Sequence, residues 1–140
     1  MAVRKKKESC TQPLSERSDA APTIILYSSD MDFCISLRML LQDRYRIATT
    51  TDVNMLLTMV HSFQPALVIV DGLPIEMVKH RFDVMRKESP QMHIMFFYAP
   101  LLNNRWYHEL VRKSVDAAFS KPIELSEVME SICELAQQHA

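Results

Sequence analysis

Three short runs in this chain carry no polar alternation: Thr23 to Tyr27 (TIILY), Ala66 to Val70 (ALVIV) and Ile94 to Tyr98 (IMFFY). A strand with one wet face alternates apolar and polar residues, so an unbroken apolar run marks a strand covered on both faces. These runs belong in the middle of a sheet with helices above and below it. Two weaker runs, Tyr45 to Thr49 and Ala117 to Phe119, suit an outer strand and a late strand. Between the runs lie Met31 to Asp43, Val53 to Phe63, Ile75 to Glu88, Asn104 to Ser114 and Leu125 to Gln137, each with apolar residues at helical spacing. In the first of these Phe33, Leu37, Leu40 and Leu41 share a face, and in the last Leu125, Val128, Met129, Ile132 and Leu135 do. Five strands alternating with five helices predict an α/β fold with a doubly wound, five-stranded parallel sheet and short loops.

Residues 1–22 are of a different character. The basic run Arg4, Lys5, Lys6, Lys7 leads into Ser, Thr, Gln and Pro, with Leu14 as the one large apolar side chain after it. That is too little burial to offset ordering entropy, which predicts a disordered basic tail before a single domain over residues 23–140. Glu8 and Ser9 follow the basic run where a secretory signal would place its apolar stretch, and no run approaches the ~20 residues of a membrane span. Cys10, Cys34 and Cys133 are odd in number and widely spaced, which supports neither a disulfide framework nor a thiolate zinc site. A cytoplasmic protein is expected. Sixteen basic against seventeen acidic residues give a net charge of −1, so neither a nucleic acid nor a membrane is an expected partner. The single glycine, Gly72, excludes dinucleotide fingerprints and P-loops, which need several.

Parallel α/β sheets place their chemistry at the carboxyl ends of the strands. Asp71 follows Ala-Leu-Val-Ile-Val with no turn residue between, an expensive place for an idle charge. Lys121 precedes Pro122 at the end of the fifth strand, where its ammonium can meet that carboxylate across the rim.

With these residues in place the chain resembles the receiver domain of two-component response regulators, from Thr23 to the C-terminus. The resemblance implies the flavodoxin-like receiver fold, with Asp71 in Val-Ile-Val-Asp71-Gly as phosphoacceptor and Lys121 in Phe-Ser-Lys121-Pro122 pairing with the phosphoryl oxygens. It implies a histidine kinase or phosphotransfer protein as donor. It also implies Mg²⁺ held by Asp71, by the carbonyl of Leu73 and by an acidic pair ending the first strand. Here that pair reads Ser28-Ser29, with Asp30 one place later. Two neutral hydroxyls replace two carboxylates, and serine is a poor substitute for a cation that prefers carboxylate oxygens. Mg²⁺ is therefore expected to bind weakly or not at all, with Asp30, Asp71 and Leu73 as its remaining ligands. Against a ligand role for Asp30 stands a helix-capping one, in which Ser29 is the N-cap, Asp32 closes a capping box and Asp30 sits in the first turn.

Other departures follow. Tyr98 stands at the switch position where the family has a small hydroxyl residue, Ala118 stands where the family has a mobile aromatic, and the loop Asp71-Gly-Leu-Pro74 is one residue short. Cys34 is expected to be a packed thiol, and the five histidines show no metal-site spacing. Trp106 and Tyr107 are adjacent on the fourth helix and cannot both face the core. Trp106, with Arg112 nearby, is accordingly the expected interaction face.

The expectation is a single-domain receiver in a phosphorelay, not an enzyme, accepting a phosphoryl group on Asp71. No DNA-binding or catalytic segment follows it, so the output passes through protein contacts to an unknown partner, and a homodimer is possible. The alternative is a degenerate receiver that binds its partner without phosphorylation. A flavin carrier on the same sheet would need a longer Ser/Thr/Gly-rich loop than Ser28-Ser29 supplies.

Overall fold

A computed structural model of the chain describes residues 21–99 and 105–137, the side chains of 105–108 excepted. The expected tail therefore lies outside the described residues, apart from its last two positions. The elements run β1 (Thr23–Tyr27), α1 (Met31–Leu41), β2 (Arg46–Thr50), α2 (Val53–Phe63), β3 (Leu67–Gly72), α3 (Glu76–Glu88), β4 (His93–Tyr98), α4 (Arg105–Lys113), β5 (Ala117–Ser120) and α5 (Leu125–Gln137). The sheet is parallel throughout, in the order β2-β1-β3-β4-β5. The three unbroken apolar runs are its three central strands. Among the described residues no helix is long and apolar enough to cross a membrane.

Successive strand residues point to opposite faces, and this sorts the apolar side chains into two cores. Ile24, Leu26, Leu67, Ile69, Met95 and Phe97 pack with Cys34, Leu37 and Leu41 of α1 and Val128, Ile132 and Ala136 of α5. Ile25, Val68, Val70, Ile94, Phe96 and Tyr98 pack with Leu56 and Val60 of α2, Val78, Phe82 and Met85 of α3, and Val111 of α4. Fully burying one such side chain contributes roughly 1.5–3 kcal/mol, so most of the driving force lies in these two layers.

Several boundaries differ from the sequence reading. β2 starts at Arg46, and Tyr45 is instead a buried core side chain. β3 continues through Asp71 and Gly72, which pair with Phe97 and Tyr98. On α1, Leu40 is half exposed and Cys34 takes its place on the buried face. The N-cap of α1 is Asp30 and not Ser29: its carboxylate accepts from the Asp32 and Phe33 amides, so the expected capping box does not form. Asp30 reaches those donors one residue closer to the helix, and a charged acceptor also suits the positive helix end. Of the cysteines, Cys34 is free and buried while Cys133 is disulfide-bonded. The cysteine count therefore gives no argument for a reducing compartment.

At the opposite end of the sheet from Asp71, Asp116 joins three elements. Its Oδ2 accepts from the Ile94 amide at 2.8 Å and from Arg86 Nη2 at 2.9 Å, and Oδ1 lies 3.4 Å from His93 Nδ1. Burial pushes this carboxyl up, but the Ile94 amide, Arg86 and His93 outweigh that and hold it below its ordinary value. A depressed folded value means stability that is present above the unfolded carboxylate range and is lost as pH falls through the folded value. Asp116→Asn should therefore cost about 1–2 kcal/mol near neutral pH. The deficit relative to wild type should shrink as denaturant titrations are repeated below about pH 4, where the wild-type carboxylate protonates. A deficit independent of pH would mean that Asp116 acts through shape and not charge.

Candidate functional site

The carboxyl rim gathers Ser28, Asp71 and Lys121 by strand parity. Ser28 continues the Ile24, Leu26 side of β1, Asp71 continues the Leu67, Ile69 side of β3, and Lys121 continues the Phe119 side of β5. All three therefore project to the α1/α5 face. Asp71 is 9% exposed and Ser28 is fully buried. Ser28 Oγ donates to Asp71 Oδ2 at 2.7 Å, and Lys121 Nζ makes an ion pair with Asp71 Oδ1. The Ser28 hydroxyl in turn accepts from the Asp30 amide at 3.0 Å, so its donor and an acceptor site are both used. Lys121 also lies over the Phe33 ring, 5.3 Å from its centroid, and its own amide donates to the Tyr98 carbonyl at 2.8 Å. The buried carboxylate thus has a partner on each oxygen, which is the condition under which a rim charge is tolerated.

Cys34 closes the floor of this site, its thiol 3.8 Å from the Ser28 carbonyl. Burial pushes the thiol up, the Ser28 carbonyl partly offsets this, and the Asp71 and Asp30 charges push it further up. It is a free, buried thiol packed under the rim.

Tyr98 and Ala118 lie on the other side of the sheet. Tyr98 is buried in the α2/α3/α4 core and stacks on Phe96 at 5.5 Å, and Ala118 packs against that same core. A large aromatic thus stands at the end of β4 and a small residue on the neighbouring β5. Tyr98 belongs to the face opposite Asp71, where its ring is held by packing. The short loop after β3 closes as a tight turn in which the Ile75 amide donates to the Leu73 carbonyl at 2.9 Å. Gly72 does not serve a left-handed turn: it lies in the strand, and a Cβ there would meet Phe96 at an ordinary 3.6 Å. Arg112 is exposed on α4 and lies 3.8 Å from Glu109, while the Trp106 side chain is outside the described residues.

These residues do not fit a Mg²⁺ site. The ion demands near-octahedral oxygen coordination and one or two available carboxylates. Asp71 has a partner on each oxygen, Asp30 is committed to the α1 amides, the Leu73 carbonyl holds the Ile75 amide and Ser28 directs its proton at Asp71. Among the described residues no three His, Cys, Asp or Glu side chains form a group that could hold a metal.

No protein-family model and no curated protein sequence matches the chain. Solved structures do. A CheY-like response regulator receiver domain protein from Methanospirillum hungatei JF-1 superimposes with a TM-score of 0.71 at 18% identity, over 85% of this chain and 97% of that one. A response regulator from Thermotoga maritima gives 0.71 at 16% identity, over 84% and 98% of the two chains. This chain has the receiver fold. A third protein with this fold, named as pilus assembly-related and from Burkholderia pseudomallei K96243, gives a TM-score of 0.70 at 16% identity over 89% and 96%. At such identities the likeness is one of backbone, and the rim side chains carry any functional statement.

The Asp71–Lys121 pair should show energetic coupling. Lys121→Ala leaves a nearly buried carboxylate with one partner, and because Lys121 is itself 39% exposed the cost should be about 1–2 kcal/mol and not that of a fully buried pair. In Asp71→Asn the same lysine substitution should cost less, giving a coupling of about 1 kcal/mol in a double-mutant cycle. Additive effects would show that the two side chains do not sustain each other in solution.

Proposed function

We propose that this chain is a receiver-type signalling module that acts through protein contacts and is independent of metal-assisted phosphorylation of Asp71. The observation that carries this reading is the Ser28 to Asp71 hydrogen bond. Where the resemblance calls for a carboxylate to help hold a cation, a hydroxyl gives its proton to the acceptor aspartate. With Lys121 on the other oxygen, the site is neutral without any added ion. The missing small hydroxyl at Tyr98 and the missing aromatic at Ala118 support the same reading, since neither residue can make the family's movement between rim and α4 face.

The ion pair itself favours a second reading. Asp71 and Lys121 stand at the strand ends where the resemblance puts a phosphoacceptor and its cation. On that reading a histidine kinase or phosphotransfer protein donates to an Asp71 oxygen, and Lys121 offsets the roughly −1.5 to −2 charges of the added group. Intact-mass measurement after incubation with acetyl phosphate and Mg²⁺ separates the two. Wild type should stay unmodified, and calorimetry should show no Mg²⁺ saturation below about 1 mM. The variant Ser28→Asp, Ser29→Asp should gain measurable Mg²⁺ affinity. A phosphoryl addition to wild type that Asp71→Asn lacks would establish the second reading instead.

The partner surface proposed is α4 around Trp106 and Arg112, with a second copy or an output protein as its occupant. Trp and Arg are the residue types that most often dominate interface energies. Trp106→Ala should weaken association in sedimentation or pull-down by about tenfold or more while the fold persists. Asp71→Asn should leave that association nearly unchanged. Loss of association in Asp71→Asn alone would tie the α4 face to the state of the rim.

A further inference from the structure

Beneath the rim, on the side of β3 away from α1, lies a cavity of about 180 Å³. Its walls are apolar, chiefly Val53 and Leu56 of α2, Val70 of β3, and Val78, Phe82 and Met85 of α3. Two charged residues border it: Arg81, and Asp71, whose carboxylate is turned to the α1/α5 face. They differ in how they are satisfied. Asp71 has Lys121 and Ser28 on its oxygens. Arg81 is half-buried, and its guanidinium has for partner the Met77 thioether at 3.2 Å, a weak acceptor. No carboxylate among the described residues pairs with it, although Lys79 on the same helix has Asp83 and Arg86 has Asp116.

We propose that this cavity is a binding site for a small carboxylate with an apolar body, the carboxylate paired with Arg81 and the body among Leu56, Val78 and Phe82. Size limits the body to one ring or a short branched chain, because apolar cavities of about 150 Å³ take up a benzene-sized guest. Charge selects an anion. A planar guanidinium at the edge of an apolar wall is built for a bidentate carboxylate, and in partial burial that bond is stronger than in water. Asp71 holds its charge on the other face of β3, against Lys121, and so imposes little repulsion on such a guest. The proposal goes beyond the signalling reading and does not depend on how Asp71 is used, since none of these contacts needs Asp71 to change state.

The test uses the full chain with benzoate and 3-methylbutanoate as probes and benzamide as the neutral counterpart of benzoate, followed by amide NMR shifts. Benzoate should give saturable shifts centred on the segments 53–56, 70–73 and 78–82, and benzamide should bind at least about tenfold more weakly. Arg81→Gln, at a half-buried position that leaves the apolar wall intact, should weaken benzoate by about tenfold or more and leave benzamide unchanged. Val53→Phe, which narrows the cavity, should weaken both probes. No saturable shift from either carboxylate up to about 10 mM would overturn the proposal. So would equal affinity for benzoate and benzamide in wild type, a comparison that needs no variant to fold, or benzoate shifts that Arg81→Gln leaves unaltered.

Discussion

The structure depends on strands β1, β3 and β4 being buried on both faces. A strand so placed cannot shift by one residue without exchanging every side chain between two cores, so register is fixed by packing on both sides at once. The same constraint acts at the rim. Because Ile24, Leu26 and Leu67, Ile69 belong to the α1/α5 core, the next residues of like parity, Ser28 and Asp71, emerge side by side on that face. Phe119 sets Lys121 the same way from β5. The polar triad is thus an extension of the hydrophobic pattern and not a separate device added to it.

Within that frame the electrostatics are self-contained. A nearly buried carboxylate is costly unless its charge and its lone pairs are met, and one ammonium and one hydroxyl meet them here. Phe33 covers the ammonium from α1 and Cys34 fills the space beneath Ser28. In a site that relies on a divalent ion, carboxylates crowd together and await the cation. This rim has one carboxylate and its own counter-charge, so folding alone completes it. Arg81, also charged, belongs to the opposite face of β3 and takes no part in that balance.

Much of the fold was legible. β1, α2 and α5 occupy the residues expected from periodicity, because long apolar stripes and both-face burial are strong signals. The weak places were element ends. Asp30 and Ser29 are both good caps, and which one meets the α1 amides depends on where the chain leaves β1. Tyr45 reads as the start of a strand but points into the core as the chain turns into β2. Cys34 and Leu40 exchange roles on α1, because helical spacing admits either stripe until the sheet selects one.

By itself the sequence determined the order and type of the ten elements, an aspartate at the end of β3 and a lysine at the end of β5, and two serines where the resemblance calls for an acidic pair. Those follow from local periodicity and from residue identity, which do not wait on tertiary contacts. Only the tertiary structure decided that the Ser28 hydroxyl and the Lys121 ammonium both meet Asp71, that Tyr98 and Ala118 lie on the opposite core from it, and that Arg81 borders an apolar cavity with no carboxylate partner among the described residues. The reason is distance in sequence: Ser28 and Asp71 stand forty-three positions apart. Which side chains meet across such a gap is set by strand order and register, and these emerge only when five strands and two helical layers pack together.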